Sequence, residues 1–174
     1  MWRRSLCEDQ HLQRKVAIKF LQDPATDMRR LLDELRALLL MRSKHVVQVL
    51  DIVPSGSELI GIVEEFIDGE DLWNSKIPLS PTQFLKTLWQ IACGIADIHA
   101  FGIIHRDIKP NNMKFDPEGI VKIFDFGLAR DEAYSRNERF CWHSGIRRPE
   151  LYSHSKVTFT NEVDVYAFGA SAAF

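Results

Sequence analysis

The chain has 174 residues, 45% of them apolar and 26% charged, which excludes disordered and fibrous classes and supplies enough apolar mass for a buried core. Its 22 basic and 24 acidic side chains leave a net charge of -2, so no broad positive field draws it to nucleic acid or anionic lipid. Cys7, Cys93 and Cys141 are far apart and lack zinc or dithiol spacing, which fits a reduced, cytoplasmic setting. The longest apolar run, from Ala37 to Met41, is far too short for a membrane span, and Met1-Trp2-Arg3-Arg4 opens no signal sequence.

Val16 to Phe20 reads as a strand, with Val16, Ile18 and Phe20 on one face and Ala17 and Lys19 on the other. After the Asp23-Pro24 breaker, Met28, Leu31, Leu32, Leu35, Leu38 and Leu39 fall at the three-four spacing of an amphipathic helix that also carries Glu34. Val46 to Val53 and Leu59 to Ile67 are predicted strands, joined by the turn signal Pro54-Ser55-Gly56-Ser57. A hinge is expected around Glu65 to Gly69.

Beyond it, Ser80 as N-cap, Pro81 at the first helical position and Gln83 closing a capping box predict a long helix toward His99, stopped by Gly102. Asp116-Pro117-Glu118-Gly119 has type I turn preferences and joins Met113-Lys114-Phe115 to Ile120-Val121-Lys122-Ile123 as a hairpin. No internal repeat or low-complexity tract interrupts this order.

Around that hairpin stand His105-Arg106-Asp107-Ile108-Lys109-Pro110-Asn111-Asn112 and then Asp125-Phe126-Gly127. Taken alone, each aspartate reads as a turn cap. Together, in this order and separation, they resemble the catalytic loop and metal-binding motif of eukaryotic-type protein kinases, bacterial serine/threonine kinases above all. The resemblance covers nearly the whole chain. It implies an α+β, bilobal kinase-like fold, incomplete at both ends, with a partial N-lobe over residues 1–66 and a partial C-lobe over residues 67–174. It also implies ATP and Mg²⁺ as cofactors and a protein serine or threonine hydroxyl as acceptor.

By the same resemblance, Asp107 accepts or orients the hydroxyl proton, Lys109 steadies the transferring phosphoryl group, and Asn112 and Asp125 hold Mg²⁺. Lys19, in Val-Ala-Ile-Lys, holds the α- and β-phosphates with Glu34 as its helix partner, although an exposed strand lysine and a Glu34 paired with Arg30 are the plain structural readings. Ala17 packs on adenine, and the backbone from Glu65 to Ile67 binds its edge. Glu64 then stands at the back of the pocket, where a carboxylate is costly unless solvated or paired, so that either the pocket is wetter than usual or the side chain turns aside. Lys114 takes the place of an apolar adenine contact, its methylene stem serving instead.

Asp164, opening the apolar segment 164–169, is expected to brace the catalytic-loop backbone, and Leu38, His105 and Phe126, with one strand residue near Val49, to stack between the lobes. Residues 128–148 form the activation loop, with Tyr134, Ser135 and Ser144 as phosphoacceptor candidates and Arg106 as phosphate partner. Arg148-Pro149-Glu150 replaces the usual Ala-Pro-Glu. Lys109 fits serine/threonine specificity, whereas His143 replaces a threonine usual in that class.

No glycine precedes Gly56, so the family's Gly-rich phosphate loop and first strand are expected to be lacking. The apolar stretch 167–174 calls for a covering partner or further segments. A pseudokinase or binding module is the alternative, favoured by the expected loss of the Gly-rich loop and by Glu64, His143 and Arg148; Asp-Phe-Gly with Pro149-Glu150 weighs against a small-molecule kinase.

Overall fold

The computed structural model describes residues 2–21, 28–55, 58–75, 79–126 and 160–172. Four strands form an antiparallel sheet of order β1-β2-β4-β3: β1 Trp2–Asp9, β2 Arg14–Leu21, β3 Val49–Ser55 and β4 Glu58–Glu65. Helix α1, Met28–Leu40, packs against β3. The architecture is α+β.

Sequence reading assigned nothing before Val16, yet β1 pairs with β2 along its whole length, Arg4 opposite Lys19 and Leu6 opposite Ala17. In β4, Ile62 lies opposite Lys19 and Glu64 opposite Ala17. Directly opposed residues project from the same face of a sheet. One face therefore carries Arg4, Lys19 and Ile62 in one row and Leu6, Ala17 and Glu64 in the next.

Leu31, Leu35 and Leu38 of α1 are buried in the main core, each burial worth about 1.5–3 kcal/mol. The predicted strand from Val46 begins only at Val49. Instead, Val47 N–H donates to Ile123 O at 2.8 Å, and Ile123 N–H donates to His45 O at 2.9 Å. The backbone groups of 45–47 are thus consumed by the hairpin below, and β3 starts where that pairing ends.

Helix α2, Pro81–Ala100, begins with the capping box read from sequence: Ser80 Oγ accepts from Gln83 N–H at 3.3 Å, and Gln83 Oε1 accepts from Ser80 N–H at 2.9 Å. Such a cap contributes about 1 kcal/mol. The helix stops at Gly102, whose φ of 70° is easily adopted without a Cβ. Strands β5, Met113–Phe115, and β6, Val121–Ile123, pair antiparallel, and a short 3₁₀ turn, Pro110–Asn112, leads into them. Helix α3, Glu162–Ser171, buries Val163, Asp164 and Ala167 and leaves Val165 and Tyr166 exposed. The predicted activation loop, residues 128–148 with Tyr134, Ser135, His143 and Ser144, and the Arg148-Pro149-Glu150 motif at its end lie outside the described residues.

Candidate functional site

The site forms where the sheet meets the β5–β6 hairpin, and its frame is Asp164, fully buried on α3. Its Oδ2 accepts from His105 N–H and its Oδ1 from Arg106 N–H, each at 2.8 Å, while His99 Nε2 lies 2.9 Å from Oδ2. This bracing lets Arg106 hold φ at 68°, a left-handed conformation costing about 1–2 kcal/mol for a residue with a Cβ. Sequence reading foresaw the backbone bonds; the His99 contact was missed, since nothing local to the end of α2 points to α3.

His105 is buried and its ring lies 4.8 Å from that of Phe126. Desolvation holds its pKa below the ordinary value, against the neighbouring Asp164 and Asp107, so it is neutral. Its Nε2 lies 3.1 Å from Phe124 O, which only accepts, and its Nδ1 3.3 Å from Asp107 N, which only donates. The ring proton therefore sits on Nε2. Leu38, Val49 and Phe126 share the surrounding core.

Asp107 is likewise buried. Lys109 Nζ lies 2.9 Å from its Oδ2, and Asn112 Nδ2 donates to that oxygen at 3.0 Å and to Asp107 O at 2.8 Å. Two donors on one oxygen fix the rotation of the carboxylate. With its amide nitrogen turned to Asp107, Asn112 presents Oδ1 in the other direction.

Lys19, 2% exposed, places Nζ 2.6 Å from Asp125 Oδ1 and donates to Phe126 O at 3.2 Å. A buried ammonium is tolerable only with such partners. Burial alone would raise the Asp125 pKa, but Lys19, by charge and hydrogen bond, and Arg4, by charge, hold it below the ordinary value. Asp125 also has φ of 67°. Glu34 Oε1 accepts from Arg106 Nη2 at 2.8 Å. Lys19 of the strand thus meets the metal-motif aspartate, and Glu34 of the helix meets the catalytic loop.

Ala17 is buried on the cleft face beside Glu64, and Ile67 lies buried beyond the end of β4. Glu65 turns its side chain away from the cleft: Oε1 accepts from Gln48 N–H at 2.8 Å and from Lys122 Nζ at 2.9 Å. Glu64 corrects the sequence reading. It neither sits in a wet pocket nor turns aside, being 3% exposed and 3.5 Å from Arg4 Nη2. Desolvation raises its pKa in spite of Lys19 and Arg4. Lys114 does more than lend its stem, donating from Nζ to Ile67 O at 3.3 Å.

The protein kinase domain family matches residues 5–173 of the chain. A serine/threonine-protein kinase of Corynebacterium efficiens is 37% identical over 178 residues, covering 94% of this chain and 34% of that protein. Serine/threonine-protein kinase PknA of Corynebacterium glutamicum is 34% identical, covering 94% of this chain and 38% of PknA. Cyclin-dependent kinase 20 of Danio rerio is 32% identical, covering 90% and 46%. The chain thus spans between a third and a half of the length of these curated relatives. No helix among the described residues is long and apolar enough to cross a membrane.

Proposed function

The chain belongs to the protein kinase domain family, and we propose that it carries the ATP-dependent transfer of a γ-phosphoryl group to a serine or threonine hydroxyl of a protein. The observation that carries this reading is the convergence of Lys109 and Asn112 on Asp107 Oδ2 within 3.0 Å, beside a lysine bound to Asp125. In the reaction the acceptor oxygen attacks the γ-phosphorus as its proton passes to Asp107. The bond from that phosphorus to the bridging oxygen breaks, and ADP leaves. Lys109, beside the attacked phosphorus, balances the charge on its equatorial oxygens.

The donor set suits Mg²⁺: the Asp125 carboxylate and Asn112 Oδ1 are hard oxygens, few enough for a cation that keeps waters and takes phosphate oxygens. Bound there, Mg²⁺ would neutralise charge on the phosphates. Lys19 would hold the α- and β-phosphates beside it. Ala17 and the backbone of Glu65 and Ile67 hold the adenine. Arg106, paired with Glu34, would share its guanidinium with a phosphorylated loop. The lobes divide at the hinge, residues 1–66 from 67–174, and a cytoplasmic setting suits the reduced cysteines.

A nucleotide-free binding module is the second reading, favoured by the mutual satisfaction of Lys19 and Asp125. Thermal unfolding with MgATP separates the two. At a hundredfold excess over Kd, binding adds about 2.7 kcal/mol, a gain that Asp125→Ala removes. Transfer of labelled phosphate to a mixed protein substrate, followed by phosphoamino-acid analysis, then reads the acceptor. Phosphotyrosine alone would overturn the serine/threonine assignment, and the absence of any MgATP shift would favour the module.

A further inference from the structure

Arg4 is the side chain that phosphotransfer leaves without a task. It projects from the cleft face of β1 opposite Lys19, and its guanidinium meets three groups: Glu64 Oε2 at 3.5 Å, Asp125 Oδ1 at 3.9 Å, and the Phe124 ring, 5.0 Å from its centroid. Phe124 belongs to the opposite wall, directly after β6, and is buried. From that wall Lys114, bonded to Ile67 O, brings its Nζ within 5.9 Å of the same ring. Arg4 therefore crosses the space between the sheet and Phe124, tied at its far end to a buried carboxylate. A base entering beside Ala17 has to share that space.

We propose that Arg4 is the specificity-determining residue of the cleft, which selects nucleoside polyphosphates over plain nucleosides. The Arg4–Glu64 pair bars the ring. A polyphosphate arriving at Lys19 and Asp125 supplies the negative charge that draws the guanidinium off Glu64, whereas an uncharged nucleoside has nothing to offer it. A ligand shifts such an equilibrium only by its differential affinity for the two states, and charge-assisted phosphate contacts to arginine are strong enough to supply the difference. The inference rests on the nucleotide reading of this cleft.

Calorimetric titration of the 174-residue chain with adenosine and with MgATP tests it, beside Arg4→Ala and Glu64→Gln, each checked for a cooperative melt. The wild type is expected to bind MgATP much more tightly than adenosine. In Arg4→Ala adenosine should gain about tenfold while MgATP gains nothing, so the preference collapses. Glu64→Gln, which loosens the bar but keeps the cation, should tighten adenosine and leave MgATP equal or tighter. A wild type that prefers MgATP, with the same preference in both variants, overturns the role of Arg4 and leaves the nucleotide reading standing. Adenosine and MgATP both failing to bind any of the three proteins overturns both.

Discussion

Glu34 and Arg106, 72 positions apart, form a 2.8 Å ion pair with 15% and 7% of their side chains exposed. It ties the helix above the cleft to the catalytic loop below. A double-mutant cycle of Glu34→Gln and Arg106→Met, read by urea unfolding, should return a coupling energy of about 1–3 kcal/mol. Either single change should destabilise more than the pair together, because each takes one charge out of a buried opposite-charge contact. Additive effects would show that the pair does not join the two parts.

Asp107→Asn keeps the shape and the Lys109 contact but loses the proton acceptor. Phosphotransfer should fall by about 10²–10⁴-fold, while the MgATP-induced rise in melting temperature stays. Unchanged turnover would remove Asp107 from the chemistry.

The raised pKa of Glu64 sets a pH signature. The folded chain binds a proton there more tightly than the unfolded chain, whose Glu titrates near 4.5. This contribution is fully present below that value and is lost as pH rises through the folded pKa. Asp125 acts the other way: its lowered pKa gives stability present above 3.8 and lost as pH falls through the folded value. Its side chain is 39% exposed, so water screens that effect. Unfolding curves across this range should show Glu64→Gln losing less stability than wild type as pH rises above 4.5. Parallel curves would contradict the assignment.

Gly94 lies where α2 crosses β6. A Cβ there would come within 2.8 Å of Ile123 Cδ1 and 2.9 Å of His45 O. The isoleucine can yield, but the carbonyl is already held by Ile123 N–H. Gly94→Ala should cost about 1–3 kcal/mol in spite of the better helix propensity of alanine, measured by chemical denaturation. A stabilised variant would mean that the two elements separate more easily than their packing implies.

Elements fixed by local rules were legible in the sequence: the strand around Lys19, α1 from its leucine spacing, α2 from Ser80 and Gln83, and the hairpin from Asp116 to Gly119. What escaped depends on distant partners. Strand β1 has no apolar alternation of its own and exists through its pairing with β2. Val46 looks like a strand residue, but its neighbours bond to β6. In the site, motif spacing brought out Asp107, Lys109, Asn112 and Asp125. The fate of Glu64 turned on Arg4, 60 residues away, and that of Lys19 on Asp125 and Phe126, the latter 107 positions on. No periodicity carries such information.

The bonds from His45 and Val47 to Ile123, with Glu65 held by Lys122, make the seam between sheet and hairpin an axle. Rotation of one part against the other must leave this seam nearly still. Displacement then grows with distance from it along the order β3, β4, β2, β1. The strand bearing Arg4 stands last in that order, so rotation about the seam moves the guanidinium relative to Phe124, whose chain neighbour Ile123 belongs to the seam itself.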